Sequence, residues 1–250
     1  MRIVDMRECS KSIPRRLSSP AFMGRYFRGD GVDIGGFPDP LALYAELFPL
    51  MRSVRVWDIA DGDAQLMEGV ADCWYDFVHS SHCLEHLHDP EQGLRNWFRI
   101  LKPGGFLIVT VPDEDLYEQG EFPSTFNQDH KWTFTVFKTK SWSPRSRNVI
   151  DLLRALGEGA DVERIEVLTS TYRYNAPRFD QTLTPIGECG IEFVVRKRSD
   201  AEVKTGGPQR RSAEFPQTLN KYFNQYRADL KTLKSENSSR PPFSDNSPID

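Results

Sequence analysis

The stretch from Tyr75 to Val111 constrains the fold more than any other part of this chain. "YDFVHSS" (75–81) has the apolar character of a strand. Asp89-Pro90 then supplies a helix N-cap and a proline suited to the first helical position, with Gln92 placed to complete the capping arrangement. Leu94, Trp97, Phe98 and Leu101 follow on one helical face. The helix stops at "KPGG", where Pro103 and Gly104 suit the centre of a type II turn, and "FLIVTV" (106–111) is an uninterrupted apolar run of the kind found inside parallel sheets. Strand, helix and strand in this order make a crossover unit.

The same alternation extends in both directions. "GVDI" (31–34) is a strand, followed by a helix that Asp39 can cap and Pro40 can open, with Leu41, Tyr44, Ala45 and Phe48 on one face. "VRVWDI" (54–59) is the next strand, and "DGDAQLMEGVADC" (61–73) is too short for a normal helix plus strand before Tyr75. Ser143-Pro144 is expected to open a helix with Val149, Leu152, Leu153 and Leu156 inward, and "ERIEVLT" (163–169) and "GIEFVVRKR" (190–198) supply two more strands. Strands alternating with helices specify an α/β sheet.

Organisation follows from composition. Residues 1–30 form a lead-in segment, 31–198 the α/β domain, and 199–250 a polar tail. Within the tail, Leu219, Tyr222, Phe223 and Tyr226 would share one face of a helix over 215–233, able to dock on the chain itself or on a protein partner, and the last fifteen residues read as disordered. No apolar run approaches the roughly 18–20 residues of a membrane span. The first residues are broken by Asp5, Arg7 and Glu8, unlike a signal peptide, so the expectation is a cytoplasmic protein without a membrane partner. A net charge of -4 argues against nucleic acid as the main partner. The four cysteines lack CxxC spacing and read as reduced thiols.

"GVDIGGFPDPLALY" (31–44) places two glycines between a strand and a helix but lacks the GxGxxG of a pyrophosphate loop. A ligand bearing an amino acid and a ribose needs only a close backbone turn and hydrogen-bond acceptors, which Asp33-Ile34-Gly35-Gly36 supplies. Taken with "WDI", "DGDAQ", "DHKWTF" and the segment from "YDFVHSSHCLEHLHDP" through "LKPGG" to "VPDED", the chain resembles class I S-adenosylmethionine-dependent methyltransferases of the type-11-like branch.

That resemblance spans roughly residues 24–198 and implies a Rossmann-like doubly wound, mostly parallel sheet with an antiparallel C-terminal strand. It implies S-adenosyl-L-methionine as cofactor, with Gly35 and Gly36 against its methionine part, Asp58 on the ribose hydroxyls, Asp63-Ala64 at the adenine, and Ser80, Ser81 and His82 lining the pocket. A carboxylate such as Asp58 can accept from two neighbouring hydroxyls at once. Asp33 would orient the loop or approach the positive end of the cofactor, and Arg25 or Tyr26 would reach its carboxylate. Two departures stand out: Pro38-Asp39 replaces the third glycine position, and the helix usual between the second and third strands is missing.

Ligands of open α/β sheets bind at the carboxyl ends of the strands, which points to the loop after "VTV" and its Asp113, Asp115, Tyr117, Asp129, His130 and Trp132. Transfer of an already activated methyl group needs alignment and removal of a proton from the acceptor, so His130 is the candidate base with Asp129 as its orienter. Asp113, Asp115 and Asp129 offer an alternative magnesium set, and His82 and His86 in "HSSHCLEHLH" (79–88) have a zinc-like spacing. The resemblance explains that segment without metal, and none is expected. The leading function is methyl transfer to a small molecule or glycan, on an oxygen of a sugar or secondary metabolite. The rivals are a non-catalytic scaffold that keeps the fold and a metal-dependent hydrolase or sensor.

Overall fold

A computed structural model of the chain describes residues 8–208 and Lys231. It divides into two units, Met1–Pro208 and Gln209–Asp250, and the architecture below is that of the first. The helix expected over 215–233 and the polar end lie outside the described residues, apart from Lys231, which is helical.

The strands are β1 (Gly29–Ile34), β2 (Met51–Trp57), β3 (Tyr75–Ser81), β4 (Leu101–Pro112), β5 (Thr133–Thr135), β6 (Ser146–Asn148), β7 (Ala160–Val167) and β8 (Gly190–Lys197). Six of them form one sheet in the order β2-β1-β3-β4-β8-β7, while β5 and β6 make a small parallel pair. Within the large sheet only β8 runs against its neighbours β4 and β7. This is the mostly parallel α/β sheet with an antiparallel C-terminal strand that the sequence predicts. β2 and β3 are joined by a single 3-10 turn, Ile59–Asp61, and irregular chain, as the short connection requires.

Alternation along the strands builds two cores. On one face Val78, Leu107, Val109, Phe193 and Val195 pack under α2 (Pro90–Arg99) and α3 (Val149–Arg154). On the other, Phe77, Phe106, Ile108 and Val194 meet Ile13 of α1 (Glu8–Leu17), the π-helical turn Phe22–Tyr26, Phe27, Leu41 and Phe48. The segment before β1 is therefore largely helical and supplies one layer of the core. α4 (Asp200–Thr205) closes the described domain behind a Ser199–Glu202 capping box.

Local chemistry explains the helix ends. Asp89 caps α2 by accepting from the amides of Glu91 and Gln92 at 3.0 and 3.1 Å. The reciprocal bond to the Asp89 amide comes from Gln65 Oε1 at 2.8 Å rather than from Gln92. Two expected helices differ from their prediction. Leu41–Leu47 is a 3-10 helix, whose three-residue repeat breaks the stripe expected from an α-helical period, so that only Leu41 within it is fully buried. Asp39 does not cap it: Asp33 Oδ2 accepts from the Leu41 amide at 2.7 Å, and Asp39 instead accepts from the Ser10 amide and the Tyr44 hydroxyl, pinning the turn to α1. α3 begins only at Val149, because the Ser143 hydroxyl is engaged with Thr133 and the Arg145 amide in the approach to β6.

At the carboxyl ends of the strands, the face under α1 turns from apolar to polar. Asp33 pairs with His79 in register across β1 and β3, and Thr110 with Glu192 across β4 and β8. Arg16, wholly buried, lies over this row: its Nε and Nη2 donate to Glu192 Oε2 at 3.1 and 2.9 Å, and its Nη1 lies 3.0 Å from His79 Nε2. Arg15 donates two bonds to each of Glu188 and Glu192. α1 is thus clamped to the sheet by charge as well as by Ile13.

Candidate active site

The strand order reverses between β1 and β3, and crevices at such a switch point are where open α/β sheets hold ligands. Two cavities open there, of ≈ 380 and ≈ 370 Å³, with Gly35 and His86 in the wall of both.

Gly35 leaves β1 in a left-handed conformation (φ +71°), and its amide donates to the Trp57 carbonyl at 2.8 Å. A Cβ here would lie 2.7 Å from Cys83, so the turn packs directly on the loop after β3. Gly36 gives room for Asp33 to fold back, since a Cβ there would come within 2.5 Å of Asp33 Oδ2. Asp33 is committed on both oxygens, to the Leu41 amide and to His79 Nδ1 at 2.6 Å. Because Arg16 can only donate, His79 Nε2 accepts and Nδ1 carries the hydrogen to Asp33.

The first cavity is lined by Asp58, Ile59, Gly62, Asp63, Ala64, Cys83 and Leu87 besides the shared residues. Asp58 accepts from the Ile59 and Phe37 amides at 2.8 and 3.0 Å, which fixes its carboxylate at the rim while each oxygen keeps a second lone pair. Asp63 uses one oxygen for the Gln65 amide, and the Ala64 carbonyl is held by Trp97 Nε1. Ile59 is 94% exposed at this rim, an apolar side chain with nothing over it.

The second cavity is assembled from distant segments. α1 contributes Glu8, Cys9 and Lys11; the loop after β3 contributes Ser81, His82, Glu85 and His86; Tyr117 and His130 come from the loop after β4. His130 is 7% exposed, with its Nδ1 2.7 Å from Glu118 Oε1 and its ring against Tyr117. His86 Nδ1 lies 2.9 Å from Asp129 Oδ2. Glu85 is wholly buried. Burial alone would raise its carboxyl, yet the neighbouring His82 holds it down at about 2. His82 stands between Glu8 and Glu85, 3.4 Å from each, and these anions raise its own pKa against the opposing effect of burial.

A family model described as a methyltransferase domain matches residues 26–157, more than half of the chain. The chain belongs to the class I S-adenosylmethionine-dependent methyltransferases. No curated protein matches this methyltransferase in sequence. Among solved structures it is similar to an S-adenosylmethionine-dependent methyltransferase from Mesorhizobium loti (16% identity, 75% of this chain and 98% of that one, TM-score 0.49). It is also similar to the N-methyltransferase NodS from Bradyrhizobium japonicum (13%, 80% and 100%, 0.46). A third is an S-adenosylmethionine-dependent methyltransferase from Archaeoglobus fulgidus (17%, 76% and 94%, 0.45).

The residues of the methyltransferase fit its cofactor. The first cavity offers free lone pairs on Asp58 and Asp63 and an apolar rim in Ile59, Ala64, Cys83 and Leu87, a combination suited to a ribose and a flat base. Gly35 and Gly36 bring backbone to the second cavity, whose carboxylates Glu8 and Asp39 suit a sulfonium cation.

Of the residues expected around the cofactor most converge here, and three do not. Ser80 donates to the Ile34 carbonyl inside the sheet and lines neither cavity, whereas Ser81 and His82 do. Arg25 lies at the start of the strands, paired with Glu163 and stacked on Phe106, and lines a different cavity with Gly29 and Gly105. Tyr26 is buried against Phe22 and Phe106.

Asp129 does not orient His130, because neighbouring side chains diverge; it is 71% exposed and pairs with His86 and Lys131, while Glu118 holds His130. Nor do Asp113, Asp115 and Asp129 gather round an ion. Asp113 caps the turn Glu114–Glu118, its carboxyl pushed up to about 6 by burial, and Asp115 bonds Lys138 and Trp142. No helix among the described residues is long and apolar enough to cross a membrane.

The sequence reading missed Glu118 and Ile59. For Ile59 a signal existed, since it directly follows Asp58 in "WDI". Glu118 is twelve positions from His130, and only the π-helical turn brings the two together.

Proposed function

We propose that this methyltransferase moves the methyl group of S-adenosylmethionine to a hydroxyl of a small acceptor, a sugar, glycan or secondary metabolite, held in the second cavity. The observation that carries the reading is the corner formed by His86 and His130 beside Gly35. Each imidazole has a carboxylate at Nδ1, which favours the hydrogen there and leaves an Nε2 lone pair. A hydroxyl must lose its proton as it attacks, and an imidazole with a free Nε2 lone pair can accept it. A cavity of ≈ 370 Å³ matches the small-molecule class, which begins at about 300 Å³.

The acceptor oxygen forms its bond to the methyl carbon as the carbon–sulfur bond breaks, and the sulfonium becomes a neutral thioether. The chain's part is to align the two partners and take up the proton at the His86–His130 corner.

Calorimetric titration of S-adenosylmethionine tests the first half. Saturable binding is expected in the wild type, weakened about tenfold or more in Asp58→Ala, the loss of a charged hydrogen-bond partner. Absence of heat in a folded wild type would overturn the reading and leave a scaffold. Screening sugars and metabolite extracts for label from methyl-tritiated cofactor tests the second half.

A further inference from the structure

Glu85 carries a cost that the alignment of a methyl donor does not explain. Neither of its buried oxygens has a hydrogen-bond partner. A carboxylate left bare inside a protein is strongly disfavoured, so something outside the chain's own hydrogen bonding must satisfy it. Around Oε1 stand His82 Nδ1 at 3.4 Å and the Nε2 atoms of His86 and His130, both at 3.9 Å. A protonated His82 would serve one oxygen and leave the other bare.

Ligand atoms of Glu85, His86 and His130 all lie within 4.8 Å of one another. Two donors each about 2.1 Å from a shared tetrahedral cation sit roughly 3.4 Å apart, so closing the observed separations takes only small side-chain rotations. The supporting contacts have the form that metal-binding histidines take: Glu118 on His130 Nδ1 and Asp129 on His86 Nδ1, each fixing the tautomer that frees Nε2. General-base action requires one such imidazole. Two of them converging on a bare carboxylate form a donor set.

We propose that Glu85, His86 and His130 bind one divalent first-row transition cation, with its remaining coordination positions open to the second cavity. Imidazole and carboxylate donors together suit zinc, iron(II), cobalt or manganese better than magnesium, which takes oxygen ligands. Because His86 lines both cavities, the cation sits where donor and acceptor meet. With the cation bound, the two Nε2 lone pairs are spent on it, and it takes over the task given above to the His86–His130 corner: it acidifies an acceptor hydroxyl, whose proton passes to solvent as the oxygen attacks the methyl carbon. That role rests on the methyl-transfer reading; the site itself does not.

The test uses untagged full-length protein stripped with chelator and titrated with zinc chloride, and with cobalt(II) followed by its visible absorption. One cation per chain is expected, with an absorption typical of mixed nitrogen and oxygen coordination. Glu85→Gln and His130→Ala should weaken binding at least 100-fold and Glu118→Gln roughly 10- to 100-fold, while His88→Ala, exposed on the same segment, should leave it unchanged. Wild-type protein that is folded by circular dichroism yet takes up no stoichiometric zinc or cobalt overturns the proposal, as does uptake indifferent to Glu85→Gln. Cofactor calorimetry on the stripped protein is read separately: cofactor binding without metal uptake sinks the metal site alone, and metal uptake without cofactor binding sinks the methyl-transfer reading alone.

Discussion

The two cavities have nearly the same volume and are built in opposite ways. The first cavity, the proposed adenosine side, draws on short runs, and Asp58 and Asp63 each accept from an amide one or two positions on. The second, the proposed acceptor side, joins α1, the loop after β3 and the loop after β4, and its charges are mostly away from water. Recognition of a shared cofactor can thus be local and tolerant, whereas the acceptor pocket exists only if distant segments dock correctly.

The largest effect should come from breaking that docking. Removing Glu192 leaves the buried guanidinium of Arg16 unpaired, and the loss of one member of a buried pair costs about 3–5 kcal/mol. Urea unfolding of Glu192→Ala measures it; the half-exposed Arg25–Glu163 pair serves as the comparison and should be worth less than about 1 kcal/mol. A loss for Glu192→Ala as small as that would mean that α1 is held by its apolar contacts alone.

The same row predicts an acid response with a definite sign. Burial raises the Glu192 carboxyl, but Arg16 and then Arg15 overcome this and hold it at about 2, below its ordinary 4.5. A depressed carboxylate contributes fully above its unfolded pKa and loses that contribution as pH falls through the folded one. Stability should therefore fall between about pH 4.5 and 2, and Glu192→Gln should flatten the slope in that window. An unchanged slope would assign the acid sensitivity to other carboxylates.

A smaller effect should appear in catalysis and separate the cavities cleanly. His130→Ala is expected to lower turnover roughly 100-fold while the cofactor dissociation constant stays within about twofold of wild type, since His130 lines only the acceptor side. Comparable losses in both quantities would show that the cavities act as one.

The same contrast governs how far the sequence could be read. The crossover from Tyr75 to Val111 was legible in outline because a cap and an apolar stripe agree within some forty residues, although β4 already starts at Leu101, so that Leu101 and "KPGG" belong to the strand and not to the helix end and a turn before it. Gly35, Gly36, Asp58 and Asp63-Ala64, each read from a short run, come together at the walls of the two cavities. His130 was singled out by its chemistry, but its neighbour in space was not: Asp129 is adjacent in sequence and diverges, while Glu118 is remote in sequence and in contact. The role of α1 was hidden because Arg15 and Arg16 read as surface charge until Glu188 and Glu192, over 170 positions away, close on them. The 3-10 geometry of Leu41–Leu47 was hidden too, because the capping carboxylate is Asp33, on the strand before the turn.

The smallest effect is the sharpest test of the adenosine side. Ile59 is almost fully exposed, so replacing it should leave stability within about 0.5 kcal/mol of wild type. Its amide bond to Asp58 involves only backbone and survives the change. A flat base laid on this side chain would cover about half of the apolar surface whose full burial is worth about 1.5–3 kcal/mol, so Ile59→Ser should weaken cofactor binding by roughly fivefold. Leu183, also largely exposed but at the second cavity, supplies the counterpart: Leu183→Ser should leave cofactor binding unchanged and raise the acceptor KM. If Ile59→Ser leaves calorimetric affinity untouched, the adenine does not lie on this rim and the base must sit deeper, toward Cys83 and Leu87.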